Sequence, residues 1–239
     1  RTTSMLVNES VLLDAGTGVE DLALDEVARI DHIFVTHSHL DHVCSIAFIA
    51  DAAFGLRKHS LVVHALPATI NALRAHIFYW DIWPDFTHIP DPEHPMLRFE
   101  PLQVGDRFRI DDGYLSVLPA HHVVPAVGYQ LDSATGNSFV FTGDTGPNEA
   151  LWVVVNRIPA LKFLVIETAF CNRERELAVA SKHLCPSMLA DELARMQAHP
   201  QVFITHLKPG EIELTMDEIA HDAAQWTPRM LMPGMVFEF

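Results

Sequence analysis

Positive charge is scarce in this chain: 16 Lys and Arg stand against 31 Asp and Glu, for a formal charge of −15 over 239 residues. Long polyanions are held by clustered Lys and Arg, so the balance argues against a long nucleic-acid partner. Cysteine is scarcer still. Cys44, Cys171 and Cys185 are odd in number and far apart, which suits neither a disulfide framework nor a cysteine-rich zinc knuckle. No apolar run approaches the roughly 20 residues of a membrane helix, and no charged-then-apolar leader opens the chain, so a soluble protein without a membrane partner is expected. Because the chain opens at Arg1 rather than Met, an upstream piece is conceivable; the cytoplasm is the expected compartment, with periplasm or secretion left open. Repeats and linkers are also absent. A 49% hydrophobic composition then supports one α/β domain over 1–239 with a sizeable core.

Short apolar runs alternate with helical patterns along the whole chain. Strands are expected at 10–13, 32–35, 61–64, 107–110, 114–118, 129–132, 138–141, 163–166, 202–205 and 236–239. Asp112-Gly113 and Thr135-Gly136-Asn137 read as hairpin turns, which need residues tolerant of positive φ. Helices are expected at 22–30, 42–54, 68–76, 148–157, 187–199 and 216–226. Thr215 with Glu218 reads as a capping box, and Pro186 as a first-turn proline. The stretch 77–101 holds five prolines among Trp80, Trp83, Phe86 and other aromatics. It reads as a covering insertion, equally compatible with self-packing, a pocket wall or a homodimer interface.

Chemistry gathers at one structural address, the residues just after an apolar strand. Behind Ile33-Phe34-Val35 come His37, His39, Asp41 and His42; behind Leu118 come His121 and His122. Thr142-Gly143-Asp144 follows Phe141, Glu167 follows Ile166, and His206 comes two residues after Ile204. A lone histidine is more often an ordinary polar residue than a ligand, and it is the repetition that shifts the balance. Imidazole and carboxylate suit a borderline-soft divalent ion. Five histidines and two aspartates exceed what one tetrahedral zinc needs, so two ions are expected: His37, His39 and His122 on one, Asp41, His42 and His206 on the other, with Asp144 bridging. Zinc is favoured, and manganese or iron is compatible. Gly143 and Gly146 read as the freedom that the backbone needs around Asp144.

His-x-His-x-Asp-His, His122, Asp144 and His206, in that order, resemble the metallo-β-lactamase superfamily. The resemblance implies a four-layer αβ/βα sandwich, and Asp14 in Leu12-Leu13-Asp14-Ala15-Gly16 resembles the aspartate that braces the metal loop. Within the superfamily the chain is most similar to class II cyclic-nucleotide phosphodiesterases, through His37-Ser38-His39-Leu40-Asp41-His42-Val43-Cys44-Ser45-Ile46, Ala75-His76-Ile77-Phe78, Ile82-Trp83-Pro84-Asp85-Phe86, Val165-Ile166-Glu167-Thr168 and Thr205-His206-Leu207-Lys208-Pro209. Ribonuclease Z is a more distant likeness; its His-to-Gly-Tyr spacing selects His122, before Gly128-Tyr129, over His121. Such relatives begin with a strand and a Gly-Ser-rich loop before the counterpart of Arg1, and neither is found here.

The resemblance implies hydrolysis of a 3′,5′-cyclic nucleotide, cAMP or cGMP, to its 5′-monophosphate by a metal-bridging hydroxide. Asp41, His183 and Glu167 are the expected catalytic residues, with His183 giving a proton to the leaving 3′ oxygen and Glu167 orienting it. Trp83 and Phe86 are candidates for stacking on the base. The rival readings are another hydrolase of the same scaffold, acting on RNA, a lactone or a thioester, and a non-catalytic metal-binding module. The acidic balance speaks against tRNA, and Asp144 stands where β-lactam hydrolases carry a cysteine.

Overall fold

Strand signals in the first hundred residues are short, apolar and separated by helical patterns, which favours parallel pairing; from Arg107 to Phe141 they are joined by tight turns, which favours antiparallel pairing. The computed structural model, which describes residues 1–239, realises both patterns as α/β structure with two mixed sheets. By internal contacts the chain divides into two units, Arg1–Gln103 and Val104–Phe239.

In the first unit, β1 (Met5–Val7) pairs antiparallel with β2 (Val11–Leu13), and β3 (His32–Phe34), β4 (Leu61–Ala65) and β5 (Leu97–Pro101) follow in parallel, giving the order β1-β2-β3-β4-β5. Helix α1 (Leu24–Arg29) precedes β3, α2 (Leu40–Val43) and α3 (Ser45–Ala52) join β3 to β4, and α4 (Pro67–His76) leaves β4. Ile46, Ile49 and Ala50 on α3, with Ala53 just beyond it, fall at i, i+3, i+4 and i+7, and this stripe shares a core with Ile33 and Val63 of the sheet and with Val35 just after β3. Each fully buried Ile or Val contributes about 1.5–3 kcal/mol. The proline-rich stretch packs its own aromatics inward. Phe78 and Phe86 are core residues, whereas Trp80 and Ile82 are exposed.

The second unit carries an antiparallel run, β6 (Arg107–Ile110), β7 (Gly113–Pro119), β8 (Val127–Asp132) and β9 (Ser138–Phe141), continued in parallel by β10 (Leu161–Glu167), β11 (Gln201–Thr205) and β12 (Arg229–Met230). Its helices are α5 (Glu149–Val155), α6 (Arg175–Ser181), α7 (Pro186–Leu193) and α8 (Ile212–Asp222). Val140, Leu164 and Ile166 of the sheet share a core with Trp152, Leu189, Leu193 and Ile219. Because β7 and β9 are each antiparallel to β8, they run the same way as β10 and β11. The C-terminal ends of all four strands therefore meet one sheet edge.

Several expected elements are redrawn. The helix at 42–54 is two helices, with His42 in the first. Thr215 lies inside α8, where its N–H and hydroxyl both donate to the Glu211 carbonyl, at 2.9 and 2.8 Å, so it caps nothing and the helix begins further upstream at Ile212. Residues 236–239 form no strand. Phe237 and Phe239 instead lay their rings on Phe139 and Phe163. Strands β1, β5 and β12 and helix α6 were not expected; β5 was hidden within the proline-rich stretch.

Candidate metal centre

In the first unit the chain leaves β3 through Val35, Thr36 and His37 and enters α2 carrying Asp41 and His42. The Asp14 carboxylate at the end of β2 braces this loop: it accepts from the Thr36 N–H at 2.7 Å, the Thr36 hydroxyl at 2.9 Å and His42 Nδ1 at 2.7 Å. Since the Thr36 hydroxyl donates to Asp14, it accepts from His37 Nδ1, 3.0 Å away. Both imidazoles thus hold their proton on Nδ1 and carry the lone pair on Nε2. Burial pushes the Asp14 carboxyl above its ordinary value, against the pull of His42 and Thr36.

His37 and His42 are buried, and His39 and Asp41 are partly exposed. The His37 ring lies 4.6 Å from that of His39 and 4.3 Å from that of His42. Asp41 Oδ2 is 3.8 Å from His42 Nε2. The loop comes this close to β2 because Gly16 has no side chain: a Cβ there would stand 2.2 Å from the Asp41 carbonyl oxygen.

The second unit brings its candidates to the sheet edge described above. His122 follows β7 and is held by the Lys182 carbonyl, 3.2 Å from Nδ1, which again leaves the lone pair on Nε2. His121 turns away: it is exposed, and its Nδ1 meets the Pro147 carbonyl at 3.0 Å, whereas the buried ring of His122 lies 4.8 Å from that of His183. Asp144 follows β9. Gly143, at φ +62°, makes the turn, whereas Gly146 has negative φ and is small because Lys182 packs on it; of the two glycines only the first supplies the expected conformational freedom. Asp144, His183 and His206 offer ligand atoms within 4.8 Å of one another, and Asp144 Oδ1 is 3.3 Å from His206 Nδ1.

Glu167, the last residue of β10, is fully buried. It accepts from His183 Nδ1 at 2.6 Å, the Thr145 N–H at 3.1 Å and the Leu184 N–H at 3.2 Å. Burial pushes its carboxyl up to about 7, although the hydrogen bond and charge of His183 oppose this. Burial by itself would lower the His183 imidazole, but the hydrogen bond and charge of Glu167, with the charge of Asp144, raise it overall. Residues that the sequence reading assigned no role are Thr36, which relays Asp14 to His37, and Lys182, whose ammonium also donates to the His122 carbonyl at 3.0 Å. Position Thr36, directly before the first ligand, was the one available hint. Phe86 cannot stack on a ligand because it is buried in the first core, and Trp83 packs edge-on against Phe48.

The donor chemistry fits a divalent metal. Three imidazoles are fixed through Nδ1 by protein acceptors, the outer contact that ligating histidines normally make, and carboxylates stand beside them. The family model described as "Beta-lactamase superfamily domain" matches residues 9–207. A 3′,5′-cyclic-nucleotide phosphodiesterase of Aliivibrio fischeri is 28% identical over 184 residues, covering 71% of this chain and 54% of that protein. A ribonuclease Z of Haloarcula marismortui is 23% identical, covering 93% and 85%. Among solved structures, unliganded yeast PDE1 superposes with a TM-score of 0.76 at 20% identity, over 90% of this chain and 71% of that one. The chain spans little more than half the length of the first curated relatives it matches.

Proposed function

The chain belongs to the metallo-β-lactamase superfamily, and from that premise we propose that it is a metal-dependent phosphodiesterase acting on a 3′,5′-cyclic nucleotide, cAMP or cGMP. His37, His39, Asp41 and His42, with His122, Asp144 and His206, are the proposed ligands of two ions, zinc by preference. The ions would supply charge neutralisation at the phosphoryl oxygens and activation of water. Everything else falls to side chains. Asp14 and Thr36 hold His37 and His42 in the ligating tautomer. Glu167 holds His183 by Nδ1, so that Nε2 is the atom from which a proton passes to the leaving 3′ oxygen. The hydrogen bond and charge of Glu167 raise the His183 imidazole above its ordinary value, which favours the proton-bearing form.

The observation that carries this reading is the Glu167 and His183 pair, buried beside Asp144 and His206. A module that only bound metal would need no such acid. The test is to load the purified protein with zinc or manganese and compare turnover of 3′,5′-cAMP, cGMP and bis(p-nitrophenyl) phosphate, with Asp144→Ala as control. Nucleotide turnover that the control lacks is the expected result. Cleavage of the artificial ester alone would defeat the cyclic-nucleotide assignment. A ribonuclease Z-like activity is the second reading, favoured by the near-complete alignment with the Haloarcula marismortui relative and opposed by the charge of −15.

A further inference from the structure

Two lysines lie against the ligands of the second unit, and they are held differently. Lys182 gives its ammonium to the main-chain carbonyl of His122, and its own carbonyl accepts from His122 Nδ1. Lys208 meets a ligand side chain: its Nζ is 2.9 Å from Nε2 of His206. An ammonium can only donate, so Nε2 supplies the lone pair, and the proton of the neutral ring sits on Nδ1, facing Asp144 Oδ1 at 3.3 Å. The local backbone enforces the contact. His206, at φ +66°, turns the chain at the end of β11, and the Lys208 N–H is tied to the Ala169 carbonyl at 3.2 Å, returning the lysine beside the ring. His183 stacks on the same imidazole at 5.0 Å and 17°. The cation therefore holds the one lone pair of the neutral ring, and because Nδ1 is the nitrogen that faces Asp144, a divalent ion beside that carboxylate would need the same pair on Nδ1.

We propose that Lys208 competes with a divalent ion for the single lone pair of the neutral His206 ring and, once displaced, contacts a nonbridging phosphoryl oxygen of the substrate. This rests on the phosphodiesterase reading above. A partly buried ammonium that gives up one acceptor needs another, and a phosphodiester oxygen offers a charge-assisted hydrogen bond that a neutral ester cannot match. Lys208 then selects anionic over neutral substrates. It also has an unusual signature, because its removal should improve one binding event and impair another.

The experiment compares the wild-type chain with Lys208→Met and Lys208→Gln in two titrations: zinc affinity by competition with a chromophoric chelator, and calorimetric binding of inorganic phosphate to the zinc-loaded protein. Lys208→Met should bind zinc about threefold to tenfold more tightly, since an internal competitor is gone. Phosphate affinity should fall about tenfold or more, with a matching rise in KM for bis(p-nitrophenyl) phosphate and little change in kcat, as loss of a hydrogen bond to a charged group implies. Lys208→Gln keeps a neutral donor and should lose phosphate affinity while gaining less for zinc. A residue of merely structural value would weaken both events together. Zinc affinity unchanged or reduced in Lys208→Met overturns the competition, and unchanged phosphate affinity overturns the substrate contact. Wild-type protein that binds zinc but cleaves no phosphodiester would overturn the functional reading instead, and the zinc titration would still decide whether Lys208 competes.

Discussion

Replacing Asp14 by asparagine changes one atom of a fully buried group, and the hydrogen-bond inventory says what should follow. One carboxylate oxygen accepts the Thr36 N–H at 2.7 Å; the other accepts the Thr36 hydroxyl at 2.9 Å and His42 Nδ1 at 2.7 Å. In Asp14→Asn the first oxygen is kept and the second becomes an NH2 group that faces two donors. The hydroxyl can rotate away. The imidazole can relieve the conflict only by moving its proton to Nε2, the nitrogen meant for metal. Loss of one or two buried hydrogen bonds to a charged acceptor predicts about 2–4 kcal/mol of destabilisation. Zinc affinity should fall about 10- to 100-fold, the usual consequence of removing such an outer contact. Asp14→Ala should cost more, about 4–5 kcal/mol, because it breaks all three contacts and places a residue less tolerant than asparagine at φ +57°. Urea unfolding of the metal-free proteins and zinc competition with a chelator measure the two quantities separately. If Asp14→Asn keeps wild-type zinc affinity, the proposed relay from Asp14 to the ligating tautomers is wrong.

Other perturbations follow from the same coordinates. Gly16→Ala would set a Cβ 2.2 Å from the Asp41 carbonyl oxygen and 2.6 Å from that of Thr3, atoms that cannot swing aside, so urea unfolding should show a loss of about 3 kcal/mol; an unchanged midpoint would mean that the loop is not packed this way. Burial, with the neighbouring charge of His32, pushes the His64 imidazole down to about 4. Its contribution to stability is complete above the ordinary value near 6.5 and is lost as pH falls through that window towards 4, to a ceiling of about 3 kcal/mol. His64→Asn should flatten this dependence, and parallel stability curves for the two proteins would refute the assignment. His183→Ala should leave zinc content unchanged and lower kcat about 100-fold or more on the natural substrate. Undiminished turnover would remove His183 from the proton-donor role.

The first group of candidate ligands stands out in the sequence because it is local. His37, His39, Asp41 and His42 lie within one loop, and their spacing behind an apolar strand is visible without any partner. The strands around them were legible for the same reason, as apolar runs bounded by turn residues. Errors fell where distant residues decide. The expected cap at Thr215 failed because its N–H and hydroxyl both donate to the Glu211 carbonyl one turn upstream, and residues 236–239 gave up strand geometry for ring packing on Phe139 and Phe163. Phe86 looked available for a ligand until its burial was known.

By itself the sequence determined the α/β alternation and which imidazole and carboxylate residues follow the apolar strands as candidates for a metal site, since periodicity and donor chemistry are properties of neighbouring residues. Only the tertiary structure decided which nitrogen each histidine presents. That choice belongs to the acceptor on the other side of the ring: Asp14 for His42 across 28 positions, the Lys182 carbonyl for His122 across 60, and Thr36, itself fixed by Asp14, for His37. A tautomer is set by a hydrogen bond, and a hydrogen bond between residues so far apart in the chain exists only once the chain has folded.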